Sequence, residues 1–145
     1  YQSGLLVWYW NTAFTNNNVG DHPGQGQILP IDAHPAALHW ADGTLMRPRL
    51  QSYDATFGLT PTDALTLHKN SVPTAVPSQP AVNVFDDMNS YWSLTDQHGQ
   101  HGNDAAGDHY RVGWNSVNNP HSGTQIRVKS LTTGGFMQVE VAPSR

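Results

Sequence analysis

Apolar and polar residues alternate most cleanly near the end of the chain. Residues 124–130 and 136–141 each place apolar side chains at every second position, and Leu131-Thr132-Thr133-Gly134-Gly135 joins them. A period of two around a glycine-bearing turn predicts a β-hairpin with one buried and one wet face. Near the start, Leu5-Leu6-Val7-Trp8-Tyr9-Trp10 is the longest apolar run. It falls far short of the ~18 residues of a membrane helix, so 4–10 reads as a buried strand. Turn formers fill 11–26, and 27–32 reads as a second strand that Pro30 assigns to a sheet edge or a bulge. Residues 33–42 form an irregular connection carrying His34, His39 and Trp40.

Residues 49–57 come near to alternation, with Leu50, Tyr53 and Phe57 as core candidates, and predict a third strand. A short strand follows at 64–68. Pro73, Pro77 and Pro80 make 70–81 an extended, proline-rich connector between two halves. Residues 82–85 open the second half as a strand, and 96–108 are so rich in Gly, His and Asp that they belong in a surface loop. At least six short strands, long loops and no convincing helix predict an all-β fold, an antiparallel β-sandwich or jelly roll, in a single domain over 1–145. No internal repeat suggests a propeller or solenoid.

Composition agrees with strands and turns: the acidic residues are ten Asp and one Glu, Glu140, and the chain has 13 Gly and 10 Pro. A compact fold of 145 residues buries roughly 68–70% of its unfolded surface. The net charge of −4 and seven scattered Lys and Arg provide no basic stripe for phosphates, which argues against a nucleic-acid partner. Without cysteine there are neither disulfides nor thiolate metal sites. No signal peptide precedes the first strand, which suggests a segment cut from a larger precursor.

The commoner hydrolase templates fail on residue type. A zincin needs H-E-x-x-H, in which two His one helical turn apart hold the metal and Glu activates its water, but Glu140 is followed by no His. There is no G-x-S-x-G elbow, no cysteine nucleophile and no pair of Glu for glycoside hydrolysis. No catalytic residue is therefore assigned. The densest polar group is Asp96, His98, His101, Asp104, Asp108 and His109, where H-x-x-H spacing beside carboxylates suits a transition metal, against the alternative of a solvated glycine-rich loop. Asp86 and Asp87, directly after a strand and near Asn83 and Asn89, offer oxygen ligands for calcium, or else caps for the following turn. Trp40, Tyr91, Trp92 and Trp114 lie in or beside loops, where rings stack on sugars or peptides or fold back on the core.

Five ordered motifs carry a resemblance. They are Gly4-Leu5-Leu6-Val7-Trp8-Tyr9, Asn16-Asn17-Asn18-Val19, His22-Pro23-Gly24-Gln25-Gly26, Leu29-Pro30-Ile31-Asp32-Ala33-His34-Pro35 and Gln51-Ser52-Tyr53-Asp54-Ala55-Thr56-Phe57-Gly58-Leu59. In order and spacing they resemble the immune inhibitor A zinc metallopeptidases, of the actinobacterial type. Val84-Phe85-Asp86-Asp87, Ser90-Tyr91-Trp92 and 123–128 look like the same family's C-terminal region. The resemblance implies a secreted peptidase whose catalytic domain and zinc lie upstream of this non-catalytic, β-rich part; the partners expected of this chain are that upstream domain and a protein or glycan substrate, with no membrane span. Two departures stand out: Asn16 occupies a turn position where Asp is expected, and 96–120 is longer and richer in His.

Three functions compete at this level. The first is an accessory region that supports the catalytic domain or positions its substrate. The second is a free-standing carbohydrate- or cell-surface-binding module using the loop aromatics with calcium. The third is a small metal-dependent enzyme built on the 96–109 loop, which lacks the rigid support that catalytic metals need.

Overall fold

The computed structural model describes residues 1–18, 21, 22, 24–36, 38–44, 46, 52–89, 91 and 117–145. Among these residues the regular elements are seven strands and one short 3-10 turn, Ser52–Asp54. Strand β1 (Val7–Trp10) pairs antiparallel with β2 (Ile28–Ile31), and Trp8 lies opposite Pro30. In a two-stranded sheet each strand is an edge, so Pro30 lacks an N–H where an N–H can point outward. The apolar run of β1 is not buried throughout. Val7 faces Ile31 inward, whereas Trp8 and Trp10 are 51% and 68% exposed, as a period of two requires.

The segment expected to continue as a strand from 49 to 57 behaves differently. Within its described residues, 52–57, Ser52–Asp54 forms the 3-10 turn and Phe57 makes an isolated antiparallel bridge to Leu5. Further on, β3 (Leu65–Lys69) pairs with β4 (Val72–Val76), so the proline-rich connector begins as a hairpin. Asn70 and Ser71 adopt φ of 51° and 66°, the left-handed geometry of a tight turn between twisted strands. Pro73, opposite His68, again sits where a two-stranded ladder has a free side.

Strand β5 (Val84–Asp86) pairs with β6 (Thr124–Leu131), which pairs with β7 (Met137–Pro143), all antiparallel. The predicted closing hairpin is present, with a register shift between Val128 and Ser130. Its buried face is narrower than the alternation implies. Val128 is 1% exposed, but Val141 on the edge strand is 69% exposed.

A shared core joins β1 and β2 to β5 and β6 in a sandwich-like arrangement. Val7, Leu29 and Ile31 meet Phe85 and Val128 around Phe57, whose side chain is fully buried. The Phe57 ring stands edge-on to Phe85 and Tyr91, each at 5.9 Å, and Phe85 stacks on Tyr91 at 5.3 Å. Each such ring contributes roughly 1.5–3 kcal/mol by leaving water. The result is an all-β fold that places the end of β2 beside the turn at Ser52–Asp54.

Candidate functional site

As β2 ends, Asp32 accepts the His34 backbone N–H on Oδ1 at 2.8 Å, an Asx turn that redirects the chain. The Ala33 N–H donates to the Ala55 carbonyl at 3.1 Å, fixing this corner against the residues after the 3-10 turn. The His34 ring therefore lies over Asp54 and the end of the 70–81 segment. Its Nδ1 is 2.7 Å from the Asp54 carbonyl and its Nε2 2.8 Å from the Pro80 carbonyl. One potential ligand atom from each of Asp32, His34 and Asp54 lies within 4.8 Å of the other two.

These carboxylates are deep in the protein: Asp32 is 6% exposed and Asp54 1%. Burial, and next the neighbouring Asp54 charge, push the Asp32 carboxyl up to about 8 against the favourable His34 N–H. Burial also raises Asp54, to about 6, opposed by the charge of His34. Asp54 Oδ1 accepts no hydrogen bond. Such a cluster can hold a proton or a cation, but it contains no nucleophile. Beside it, His34, Tyr53, Thr56, Thr62 and Asp63 line an open cleft of about 620 Å³. Gln2 closes one end, its N–H on the Tyr53 carbonyl and its side-chain oxygen accepting the Asp63 N–H.

Sequence reading did not single out this cluster as a site. Asp54 is 20 residues from His34, and only the turn brings them together. The available signal was local: Asp32-x-His34 just past a strand, with Asp54 in a second motif.

Asp86 and Asp87 lie at the end of β5 and act as hydrogen-bond hubs. Asp86 accepts from the Met88 N–H, Ser144 Oγ and Gln125 Nε2. Asp87, 3% exposed, accepts from Asn119 Nδ2 and from both the N–H and Oγ of Ser122. Burial pushes the Asp87 carboxyl up, yet these donors outweigh it and the net shift is downward. All four carboxylate oxygens thus have protein donors. Tyr91 belongs to the core, where its hydroxyl accepts the Asp86 N–H at 3.0 Å. Trp40 is half-buried at a turn, beside a cavity of about 110 Å³ that also touches the Lys69–Asp42 ion pair. His98, His101, Asp104, His109, Trp92 and Trp114 lie outside the described residues.

Comparison with known proteins adds an independent finding. Part of the chain is 43% identical over 60 residues to a Vibrio cholerae protein named pre-pro-metalloprotease PrtV, covering 41% of this chain and 6% of that one. It is 39% identical over 71 residues to immune inhibitor A of Bacillus thuringiensis subsp. alesti, covering 44% and 10% respectively. The chain thus matches a tenth or less of the length of these relatives. A family model described as the VEG domain of immune inhibitor A-like metallopeptidases matches residues 1–105, which include β1 to β5, the 3-10 turn and the Asp32–His34–Asp54 cluster. The chain belongs to that family, the immune inhibitor A-like metallopeptidases, through its VEG domain.

Proposed function

We propose that this chain is a non-catalytic accessory region of a secreted zinc metallopeptidase, supporting an upstream catalytic domain or positioning protein substrate beside it. One observation carries the reading: the VEG match extends over a chain whose single Glu cannot belong to H-E-x-x-H. Glu140 lies in β7, where it accepts from Lys129 at 3.3 Å. The Asp32–His34–Asp54 cluster has one imidazole and no Glu, so it does not fit a peptidase zinc site either. Export is part of the proposal. Among the described residues no helix is long and apolar enough to cross a membrane.

The decisive experiment compares a full precursor, the same precursor lacking this region, and the 145-residue chain alone. The chain alone should hydrolyse neither short peptides nor unfolded protein. Removing the region should lower turnover of protein substrates, or the thermal stability of the catalytic part, more than it lowers peptide turnover. Hydrolysis by the isolated chain would overturn the reading, as would a truncated precursor unchanged in stability and in both activities.

A further inference from the structure

We propose that Asp32, His34 and Asp54 form a binding site for a single divalent cation, with two carboxylates and one imidazole as ligands. The inference is independent of the peptidase reading, since it concerns only what these three side chains can hold.

Two observations converge on it. Asp54 is 1% exposed and its Oδ1 has no hydrogen-bond partner, an arrangement that costs free energy unless something positive occupies the space. The second is the pair of contacts made by His34. Both ring nitrogens face carbonyl oxygens, at 2.7 and 2.8 Å. A neutral imidazole has one N–H, so one of these contacts sets a nitrogen lone pair against an oxygen lone pair, and that nitrogen is the one available to turn toward a cation beside Asp32 and Asp54. Among the described residues, Lys69 pairs with Asp42 and Lys129 with Glu140.

A cation answers both needs together. One His34 nitrogen keeps its N–H on a backbone carbonyl, the arrangement that usually orients a metal-bound imidazole, while the other becomes a ligand. The three ligand atoms lie within 4.8 Å of one another and close on an ion once the coordinating His34 nitrogen leaves its carbonyl. Carboxylate together with imidazole suits Zn²⁺ or Mn²⁺ better than Mg²⁺. The Asx turn at Asp32 and the 3-10 turn at Asp54 hold two of the ligands on short, hydrogen-bonded corners.

The test is calorimetric titration of the metal-free, untagged 145-residue chain with Zn²⁺, Mn²⁺ and Ca²⁺ in separate runs. One equivalent of Zn²⁺ or Mn²⁺ should bind and raise the melting temperature. Binding should weaken more than about 100-fold in Asp54→Asn and in Asp32→Asn, beyond the loss expected of residues that only orient ligands. Asp86→Asn should leave it unchanged. If a variant loses its near-ultraviolet dichroism without metal, His34→Gln, on the cleft side of the cluster, decides instead. The proposal is overturned if neither Zn²⁺ nor Mn²⁺ binds at one equivalent, or if binding survives in both Asp variants. It is equally overturned if Asp86→Asn abolishes binding while Asp32→Asn does not.

Discussion

Gly4 has φ of 156°, and a Cβ built there would lie 2.7 Å from Thr56 Cβ and 2.8 Å from the Phe57 carbonyl oxygen. Gly4→Ala is therefore expected to destabilise by about 1–3 kcal/mol, read from the urea midpoint at constant slope. Asp87 is a second point of dependence. Its folded pKa is lowered, so its contribution is complete above the ordinary carboxylate value near 4 and is lost as pH falls through the depressed one. Asp87→Ala should cost about 1–3 kcal/mol at pH 7 through the orphaned Ser122 N–H and Oγ donors, and the gap from the parent protein should shrink below about pH 4. Chemical denaturation at pH 7 and pH 3 measures it, and an equal gap at both pH values would refute the role of charge. The sequence offered Asp86 and Asp87 as calcium ligands or as caps of the following turn; Asp86 takes the Met88 N–H of that turn, whereas Asp87 reaches Asn119 and Ser122, which no local signal announces. The sequence did not reveal Asp32 with Asp54, because their meeting depends on a tertiary corner.

Among the elements, the closing hairpin was readable because alternation and a glycine turn coincide within a few residues. The β3–β4 hairpin was not, since three prolines in 70–81 suggest an extended connector. The physical correction is that a two-stranded ladder leaves outward-facing positions where Pro73 lacks nothing. Its turn also concealed itself, because left-handed geometry is carried by Asn70 and Ser71 instead of glycine. Ser71→Gly should relieve that geometry and stabilise the protein by about 1 kcal/mol, visible as a higher melting temperature. A lower melting temperature would mean that the Ser71 side chain compensates. The Ser52–Asp54 turn escaped detection for a related reason: Tyr53 and Phe57 look like alternation, yet they stand four positions apart and Tyr53 is itself in the turn.

At the scale of the molecule, two of the three small antiparallel sheets, β1–β2 and β5–β6–β7, depend on one apolar cluster around Phe57, since a two-stranded ribbon is marginal by itself. Phe57→Ala should therefore cost about 3–5 kcal/mol and remove a single cooperative transition rather than one of several. Coincident unfolding curves by far-ultraviolet dichroism and tryptophan fluorescence would establish this, and separated curves would argue against it. Membership in the family was legible from ordered motifs, and the all-β class from short strands and turns. Which strands share a core was not, because pairing between distant segments leaves no periodic trace.

The Leu5–Phe57 bridge gives the fold a mechanical character as well. Leu5 and Phe57 exchange two backbone hydrogen bonds of 2.8 Å, so the first residues are fastened to the centre of the core. Force applied at residue 1 reaches Phe57 almost at once, with little slack strand to peel away. Held at that end, the domain should yield in one abrupt rupture.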